Sequence, residues 1–325
     1  MAVDLPQRFK FGWVGLGAMG WPMAKQLLKI SDAKLVVFDV DEKVLHRFAR
    51  ETPDGRVEIA SSAKQVADDS DCIFTIVPEG RHVKEVYLTP DTGILAANTS
   101  GKLLIDCSTI DIATSLAVGE AVMSSNLGNS KPAVFFDSPV SGGTAGAANG
   151  TITFMVGMAS DDPSFPLVQS ILKKMGRSIN PMGGRGLGLA AKLSNNYLSG
   201  IIALATSEAM NLGMKLGIEP KVLSDCFQSG SSANWVNSTV NPVPGVCPDA
   251  VTSREYEGGF KVQLMEKDMK LAAAAARDVG ANLVLGETAI EAYSSAASDP
   301  RFRGKDSRVV YKWLGGVDPR GERRS

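Results

Sequence analysis

The chain has 325 residues with a net charge of −1, since its 34 basic and 35 acidic residues nearly balance. This length suits two domains with sizeable cores, and the balance of charge excludes the electrostatic footprint of a nucleic-acid or anionic-membrane binder. Four cysteines without a CxxC pair and only two histidines exclude a disulfide framework and a histidine-based metal site, and no apolar run reaches the roughly 18 residues that cross a bilayer.

The first 182 residues alternate short apolar runs with amphipathic ones. The apolar runs are too continuous for half-exposed strands and predict buried strands over residues 11–14, 35–38, 72–77 and 103–106. Helical spacing appears over 21–30, 62–69, 81–87 and 113–124. This alternation predicts a doubly wound (Rossmann) parallel sheet with helices on both faces. Further strands over 134–136, 153–156 and 178–180 are expected to extend the sheet, with a helix over 163–175.

Strand signals stop at Gly183, and helical patterns continue to the end of the chain. A long helix of about thirty residues without proline is predicted first, rich in Ala, Leu and Met. Helices over 220–228, 262–278, 286–297 and 307–314 follow, with a Pro/Gly-rich loop over 241–259. The sequence therefore predicts an α/β domain over residues 1–182, a long inter-domain helix and an all-helical domain over 183–325.

A glycine-rich turn follows the first predicted strand, and its residues are Gly15, Leu16, Gly17, Ala18, Met19 and Gly20. Glycines in this context serve the tight turn, the approach of a pyrophosphate and the packing of helix on strand. Asp39 ends the second predicted strand, where a carboxylate accepts from the adenosine ribose and repels the 2′-phosphate of NADP. The pattern predicts an NAD site, and the alternative is a glycine turn used only for packing.

Two further stretches could bind or transform a ligand. Ser141, Gly142 and Gly143 offer a hydroxyl and backbone N–H groups suited to a carboxylate or phosphate oxygen, although a flexible surface loop reads the same way. In the long helix, Lys192 and Asn196 lie one turn apart on one face. A buried amine beside an oxidised nicotinamide would act as a general acid/base, whereas the alternative is a lysine that snorkels to solvent.

A fourth motif, Lys267-Asp268, lies in the helix predicted over 262–278, where adjacent opposite charges are usually surface features. Taken together and in this order, the four motifs resemble those of the β-hydroxyacid dehydrogenase family. The matching segments are GLGAMGWPMAKQL, DSPVSGGTAGAANGT, the GxxGxGxxxKxxxN pattern of residues 183–196, and KD at 267–268. The resemblance covers nearly the whole chain and implies the Rossmann-plus-helical fold and NAD-linked oxidation of a small 3-hydroxy acid.

The resemblance also implies roles for individual residues. Lys192 would be the general acid/base that takes the hydroxyl proton, and Asn196 would position that oxygen or the lysine. The substrate would be bound by Ser141, Gly142, Gly143 and Asn195. The cofactor would be bound by the glycine turn 15–20 and Asp39, together with Val77, Pro78, His82, Thr109, Lys267 and Asp268. Lys267 would reach the nicotinamide across the cleft between the domains. No metal is implied.

Within the family, residues 235, 241–246 and 258–268 look most like the 3-hydroxyisobutyrate dehydrogenase branch. That resemblance implies oxidation of 3-hydroxyisobutyrate to methylmalonate semialdehyde in valine degradation. Departures from the family pattern, at Gln26, His82, Ser138 and 231–234, leave two alternatives open. One is a sister enzyme acting on serine, glycerate, 3-hydroxypropionate or a semialdehyde or glyoxylate, and the other is a non-catalytic dinucleotide-binding paralogue.

Assembly and location are also expectations from the family. Similar enzymes form homodimers or homotetramers through the helical domain. The resemblance implies the mitochondrial matrix, whereas the N-terminal segment shows no presequence and would indicate the cytoplasm if it is the native start. Neither a nucleic acid nor a membrane is an expected partner.

Overall fold

The computed structural model describes residues 9–30, 33–52 and 55–321. The chain separates into two compact units, one ending at Lys192 and the next beginning at Leu193. The sequence places the domain boundary slightly earlier, at residue 183, where the strand signals stop. The prediction that no presequence is present concerns residues 1–8, which lie outside the described residues.

Six strands form the main sheet of the first unit. They are β1 Lys10–Val14, β2 Lys34–Phe38, β3 Val57–Ile59, β4 Cys72–Thr75, β5 Leu103–Asp106 and β6 Val134–Asp137. All pairings are parallel in the order β3-β2-β1-β4-β5-β6, which confirms the predicted doubly wound sheet. Strand order reverses between β1 and β4, and ligands of such sheets bind at the carboxyl ends of the strands at this point.

Both faces of the sheet are buried because successive strand residues point to opposite sides. On one face, Trp13 and Phe74 belong to a large apolar cluster, and on the other Ile73 and Leu104 belong to a second. Each such buried side chain contributes about 1.5–3 kcal/mol. The covering helices are α1 Gly20–Leu27, α2 Glu42–Arg50, α3 Ala63–Asp68, α4 Gly80–Leu88 and α5 Ile112–Ser125, with a 3-10 helix at Ile94–Ala96.

A second, three-stranded sheet follows, and here one prediction is wrong. Its elements are β7 Val140–Ser141, α6 Gly143–Asn149, β8 Ile152–Val156, α7 Phe165–Leu172 and β9 Gly176–Pro181. The strands pair in the order β7-β8-β9, with β7 antiparallel to β8, so β8 and β9 do not extend the main sheet. Only Ser138 and Pro139 separate β6 from β7, too few residues for the crossover of about a dozen that another parallel strand of the main sheet needs. β7 therefore leaves that sheet, and β8 pairs with β7 and β9 with β8 instead.

The second unit is helical in the described residues. The long helix α8 Leu187–Lys215 runs for 29 residues and enters this unit from the first. The remaining helices are α9 Pro220–Ser229, α10 Trp235–Thr239, α11 Val262–Asp278, α12 Gly286–Ser298 and α13 Val310–Trp313, with 3-10 helices at Val251–Ser253 and Ser307–Val309. The predicted helix over 307–314 therefore begins as a 3-10 turn, capped by the Asp306 carboxylate, which accepts from the Arg308 N–H.

Candidate active site

The glycine turn has the geometry that a bound dinucleotide requires. Gly15 has a φ of 96°, and a Cβ there would lie 2.2 Å from the Ile76 carbonyl oxygen. A Cβ on Gly20 would lie 2.0 Å from the Gly15 carbonyl oxygen, so the first turn of α1 packs directly on the strand end. By contrast, Gly17 would meet no atom within 4 Å. The backbone at Gly17 therefore faces open space, as the approach of a pyrophosphate demands.

Trp13 supports this turn, a role that sequence analysis missed. Its indole Nε1 donates to the Gly15 carbonyl oxygen at 2.8 Å, and the side chain is fully buried. The ring stacks on Phe74 of the neighbouring strand with centroids 5.1 Å apart. In the sequence Trp13 reads only as a strand residue, because nothing in an apolar run shows which backbone group an indole N–H will reach.

Asp39 follows β2 and reaches the same turn. Its Oδ2 accepts from the Leu16 N–H at 2.6 Å and its Oδ1 from the Asp41 N–H at 2.9 Å. A carboxylate has about four acceptor sites, so these two bonds orient it and leave acceptor capacity on both oxygens. The side chain is partly exposed. The residues of the turn and Asp39 therefore fit the diphosphate and ribose of NAD.

The other predicted cofactor residues of this unit follow β4 and β5, the strands next to the turn. The Val77 N–H donates to the Ser108 Oγ at 2.9 Å, while Pro78 is exposed and Thr109 half-buried. His82 lies in the first turn of α4 and is half-buried, and its Nδ1 is buried without a hydrogen-bond partner. Because β1 pairs with β4 and β4 with β5, all four lie along the carboxyl edge that carries the glycine turn.

Asp106, at the end of β5, is the second residue that sequence analysis missed. Its Oδ1 accepts from the Thr75 and Ser108 hydroxyls at 2.8 and 2.6 Å, and Ser108 in turn accepts from Val77. The Asp106 side chain is fully buried. Burial raises the pKa of Asp106 to about 6, although the hydrogen bonds from Ser108 and Thr75 oppose the rise. Asp106 thus fixes the loop after β4 from within the core.

This buried carboxyl predicts a pH-dependent loss of stability. The folded pKa of about 6 exceeds the ordinary 3.8, so its contribution is fully present below pH 3.8 and is lost as pH rises through 6. Asparagine at this position cannot titrate. We expect the free energy of unfolding of the parent, relative to Asp106→Asn, to fall between pH 4 and pH 7 by up to about 3 kcal/mol.

Urea unfolding of both proteins across this pH range measures the difference. The exposed Asp249 provides a matched control, since Asp249→Asn should follow the parent at every pH. Parallel curves for the parent and Asp106→Asn would contradict the prediction.

The Ser-Gly-Gly segment forms the end of a strand and the start of a helix, and not a flexible loop. Ser141 ends β7, Gly142 has a φ of 127°, and Gly143 begins α6. A Cβ on Gly143 would meet nothing within 4 Å, so an oxygen atom of a ligand can approach this backbone. A hydroxyl at Ser141 followed by N–H groups of a helix start is an arrangement that suits a carboxylate.

Gln26 connects this segment to the cofactor turn within the first unit. The side chain is buried in α1, and its Nε2 donates to the Ala147 and Ala148 carbonyl oxygens at 3.2 and 2.5 Å. These carbonyls lie near the end of α6, where the last carbonyl groups of a helix have no partner within it, and the Ala147 carbonyl also accepts from the Gly150 N–H. The helix that starts at the glycine turn is thereby bonded to the helix that starts at Gly143.

Lys192 is buried, which contradicts the alternative of a lysine that snorkels to solvent. Its side chain is 7% exposed, and its Nζ donates to the Val140 carbonyl oxygen at 2.6 Å. Val140 immediately precedes Ser141 in β7. The structure therefore brings the predicted acid/base to the predicted substrate segment, within the unit that also holds the glycine turn.

The second unit holds the remaining predicted residues in a polar cluster of its own. Asn196 is buried, and its Nδ2 donates to Asp268 Oδ2 at 2.6 Å. Lys267 Nζ lies 3.2 Å from Asp268 Oδ1, and Asn195 Nδ2 donates to Asn196 Oδ1 at 3.0 Å. Asp268 is 1% exposed, so this carboxylate orients Asn196 and Lys267. Its role as a cofactor contact stays a prediction.

Across the described ranges 9–30, 33–52 and 55–321, no cluster of His, Cys, Asp or Glu side chains has the geometry of a metal site. None of the helices in those ranges combines the length and apolar character needed to cross a bilayer. The four cysteines are free thiols, with Cys72 and Cys107 buried.

Both parts of the chain match known protein families. Residues 10–184 match the NAD binding domain of 6-phosphogluconate dehydrogenase, and residues 186–314 match the family described as NAD-binding of NADP-dependent 3-hydroxyisobutyrate dehydrogenase. The join between the two matches lies at the start of α8. Each of the four predicted motifs therefore lies within the segments that these two family models cover, apart from the single residue between them.

Individual proteins are similar over almost the whole chain. The 3-hydroxyisobutyrate dehydrogenase of Pseudomonas aeruginosa is 39% identical over 307 residues, which cover 94% of this chain and 98% of that protein. The NAD-dependent L-serine dehydrogenase of the same organism is 38% identical and covers 93% of this chain and 97% of its own length. Relatives include bacterial and mitochondrial proteins.

The fold is shared with solved structures. The 3-hydroxyisobutyrate dehydrogenase of Mycobacterium tuberculosis, solved with L-serine, superposes with a TM-score of 0.83 at 31% identity, over 94% of this chain and 99% of that one. Sequence similarity and the fold therefore relate the chain to the same proteins, the 3-hydroxyisobutyrate dehydrogenases and their serine-dehydrogenase relative.

Proposed function

The chain belongs to the β-hydroxyacid dehydrogenase family of NAD-dependent enzymes, and from this membership we propose that it oxidises 3-hydroxyisobutyrate to methylmalonate semialdehyde. The observation that carries the proposal is the 2.6 Å bond from the buried Lys192 amine to the carbonyl of Val140, directly before Ser141. One titratable amine is thus held beside the segment suited to a carboxylate, in the unit that has the dinucleotide turn.

In the proposed reaction, the residues of the chain bind, orient and move one proton. Ser141 and the N–H groups at Gly142 and Gly143 hold the substrate carboxylate. Bound NAD⁺ supplies the acceptor for the hydride that leaves the hydroxyl-bearing carbon. Lys192, in its neutral form, takes the hydroxyl proton as the carbonyl forms, and general-base catalysis of this kind contributes about 10²–10⁴-fold to the rate. Asn196, oriented by Asp268, positions the substrate oxygen or the lysine.

Serine is the second candidate substrate. A serine dehydrogenase is as similar to the chain as many 3-hydroxyisobutyrate dehydrogenases are, at 38% identity. Serine and 3-hydroxyisobutyrate share a carboxylate and a primary alcohol two bonds apart and differ only in the group on the central carbon, an amine against a methyl. The residues assigned above contact the shared part, so both substrates suit them. Glycerate, 3-hydroxypropionate and the reverse reduction of a semialdehyde or glyoxylate remain within the same chemistry.

Initial rates with NAD on a panel of hydroxy acids test the proposal. We expect the highest kcat/KM with 3-hydroxyisobutyrate, a lower value with serine, and lower values again with 3-hydroxypropionate and glycerate. A higher kcat/KM with serine would replace the first substrate by the second. Absence of NAD reduction with every member of the panel, in a protein that binds NAD, would favour the non-catalytic paralogue.

Cofactor preference is expected to depend on Asp39. Replacing it by asparagine removes the charge that repels a 2′-phosphate. It also weakens the two charge-assisted hydrogen bonds from the Leu16 and Asp41 N–H groups that orient this side chain, each worth about 1.5–3 kcal/mol. We expect Asp39→Asn to raise the KM for NAD about 10- to 100-fold while the KM for NADP falls. Titration of both dinucleotides in the parent and the variant measures this change. Asp41→Asn keeps the Asp39 charge and is the matched control; a parent that prefers NADP would contradict the assignment.

Assembly as a homodimer or homotetramer is part of the same proposal. Supporting it, Leu198 and Leu212 on α8 are 58% and 62% exposed, and Leu216 directly after this helix is 74% exposed. Large apolar side chains exposed along one segment usually mark a contact surface. For location we propose the mitochondrial matrix, on the strength of the mitochondrial relatives, with the cytoplasm as the alternative supported by bacterial ones.

A further inference from the structure

Asp137 lies at the end of β6 and contacts the start of α8. Its Oδ1 accepts from the Gly186 N–H and its Oδ2 from the Leu189 N–H, both at 2.7 Å. The side chain is completely buried, although burial of an unpaired carboxylate is costly. Each of its oxygens therefore has a backbone partner on the same helix end.

The surrounding backbone is shaped to admit this carboxylate. A Cβ on Gly157 would lie 2.1 Å from Asp137 Oδ1, and one on Gly188 would lie 2.7 Å from Asp137 Oδ2. A side chain at Gly157 would displace the carboxylate, and one at Gly188 would meet both the carboxylate and the Met155 carbonyl oxygen, the latter at 2.3 Å. The contact is thus enclosed on two sides by glycines, and one of them belongs to the glycine series that opens α8.

The charge of Asp137 suits this position. The N-terminus of a helix carries a partial positive charge, which a nearby anion stabilises, and the first turn of α8 contains no acidic residue of its own. Burial raises the pKa of Asp137, and the backbone N–H groups of Gly186 and Leu189 oppose that rise by stabilising the ionised form.

Helix α8 also contacts the other end of the segment 137–140. Three residues after Asp137, the Val140 carbonyl accepts from the Lys192 amine, so residues 137–140 are held by α8 at both ends. The carboxylate fixes the helix start and the amine lies one turn further on. Any slip of the helix start would move the amine relative to Ser141.

We propose that Asp137 is a positioning residue that sets where the Lys192 amine meets the substrate segment. The inference rests on the proposed function for its catalytic consequence, since Lys192 must be the acid/base for its position to affect turnover. Displacement of a reacting group by about 1 Å can cost on the order of 100-fold in rate. Asp137 itself does not contact substrate or cofactor in this assignment.

The principal test is Asp137→Asn. An amide can accept from one of the two N–H groups, but its own NH₂ then faces the other, and the helix start is released. We expect kcat to fall about 10- to 100-fold with the dissociation constant of NAD within about twofold of the parent, because the glycine turn and Asp39 are unchanged. Glu219→Gln removes another carboxylate that caps a helix, at α9, and should leave kcat unaltered.

A measurement independent of turnover separates this inference from the proposed function. Labelling of Lys192 by trinitrobenzenesulfonate, followed by peptide mass spectrometry, should be several-fold faster in Asp137→Asn because the amine is no longer held against Val140. Unchanged labelling would overturn the inference whatever the substrate is. If labelling rises while Lys192→Ala retains turnover, the assignment of Lys192 as the acid/base is at fault and the anchoring contact stands.

A second variant covers the case in which Asp137→Asn does not fold. Gly188→Ala keeps the carboxylate but puts a methyl group 2.3 Å from the Met155 carbonyl oxygen and 2.7 Å from Asp137 Oδ2, which pushes the helix start away from both. The same loss of kcat and the same faster labelling are expected. Parental kcat and labelling in a folded Gly188→Ala would overturn the inference.

Discussion

Replacing Lys192 by alanine is expected to lower kcat/KM for the hydroxy acid by about 10²–10⁴-fold while NAD still binds. The amine is the titratable group bonded to the backbone of the substrate segment, and alanine offers no group that can take the hydroxyl proton. The glycine turn and Asp39 lie on other elements of the same unit, so the affinity for NAD should remain within about twofold of the parent. Steady-state kinetics and fluorescence titration of NAD measure the two quantities.

Two companion variants make this result specific. Lys192→Arg keeps a positive charge and a donor for the Val140 carbonyl, but a guanidinium does not lose its proton near neutral pH, so its kcat should also fall. Lys174→Ala removes an exposed lysine and should behave as the parent. Turnover near the parental rate in a folded Lys192→Ala would remove the general base from the proposed mechanism.

Replacing Gly17 by valine is expected to weaken cofactor binding strongly without unfolding the protein. The residue faces open space and does not have a left-handed φ, so a side chain fits in the free protein and the free energy of unfolding should change by no more than about 0.5 kcal/mol. The isopropyl group would occupy the place through which the pyrophosphate reaches the backbone. We expect NAD affinity to fall at least about 100-fold, equivalent to roughly 2.7 kcal/mol.

Gly20→Ala provides the contrasting control. Its Cβ would lie 2.0 Å from the Gly15 carbonyl oxygen, so the strain falls on the folded protein and should cost about 1–3 kcal/mol of stability. Calorimetry and NAD titration on both variants separate the two effects. Tight NAD binding by a folded Gly17→Val would place the pyrophosphate elsewhere.

The parts of the fold that could be predicted from sequence are those with strong local patterns. Continuous apolar runs located β1, β2, β4, β5 and β6, and α11 was predicted with the bounds that the structure gives. The second sheet was not foreseen, because whether a strand joins an existing sheet depends on the path of the chain between strands.

The candidate site shows the same division. Lys192, Ser141 and the glycine turn are candidates in the sequence because their residue types and spacing suit the predicted chemistry. Trp13, Asp106 and Asp137 were missed because each acts through a backbone group remote in sequence, at separations that no periodic pattern encodes. Asp137 begins the DSPVSGG segment, yet its partners lie 49 and 52 residues later. The sequence thus indicates the reacting groups more readily than the groups that hold them.

The hydrogen bond from the Trp13 indole to the Gly15 carbonyl restricts which residues can replace Trp13 in β1 without loss of function. A leucine or phenylalanine would fill the same interior volume, but neither could supply the N–H that steadies the phosphate loop. A substitution at position 13 would therefore need another hydrogen-bond donor to the Gly15 carbonyl. Replacing the stacking neighbour Phe74 by a small residue would remove the contact that holds the Trp13 ring and so weaken the same hydrogen bond. Trp13, a buried strand residue, thus affects cofactor binding through the backbone of the glycine turn.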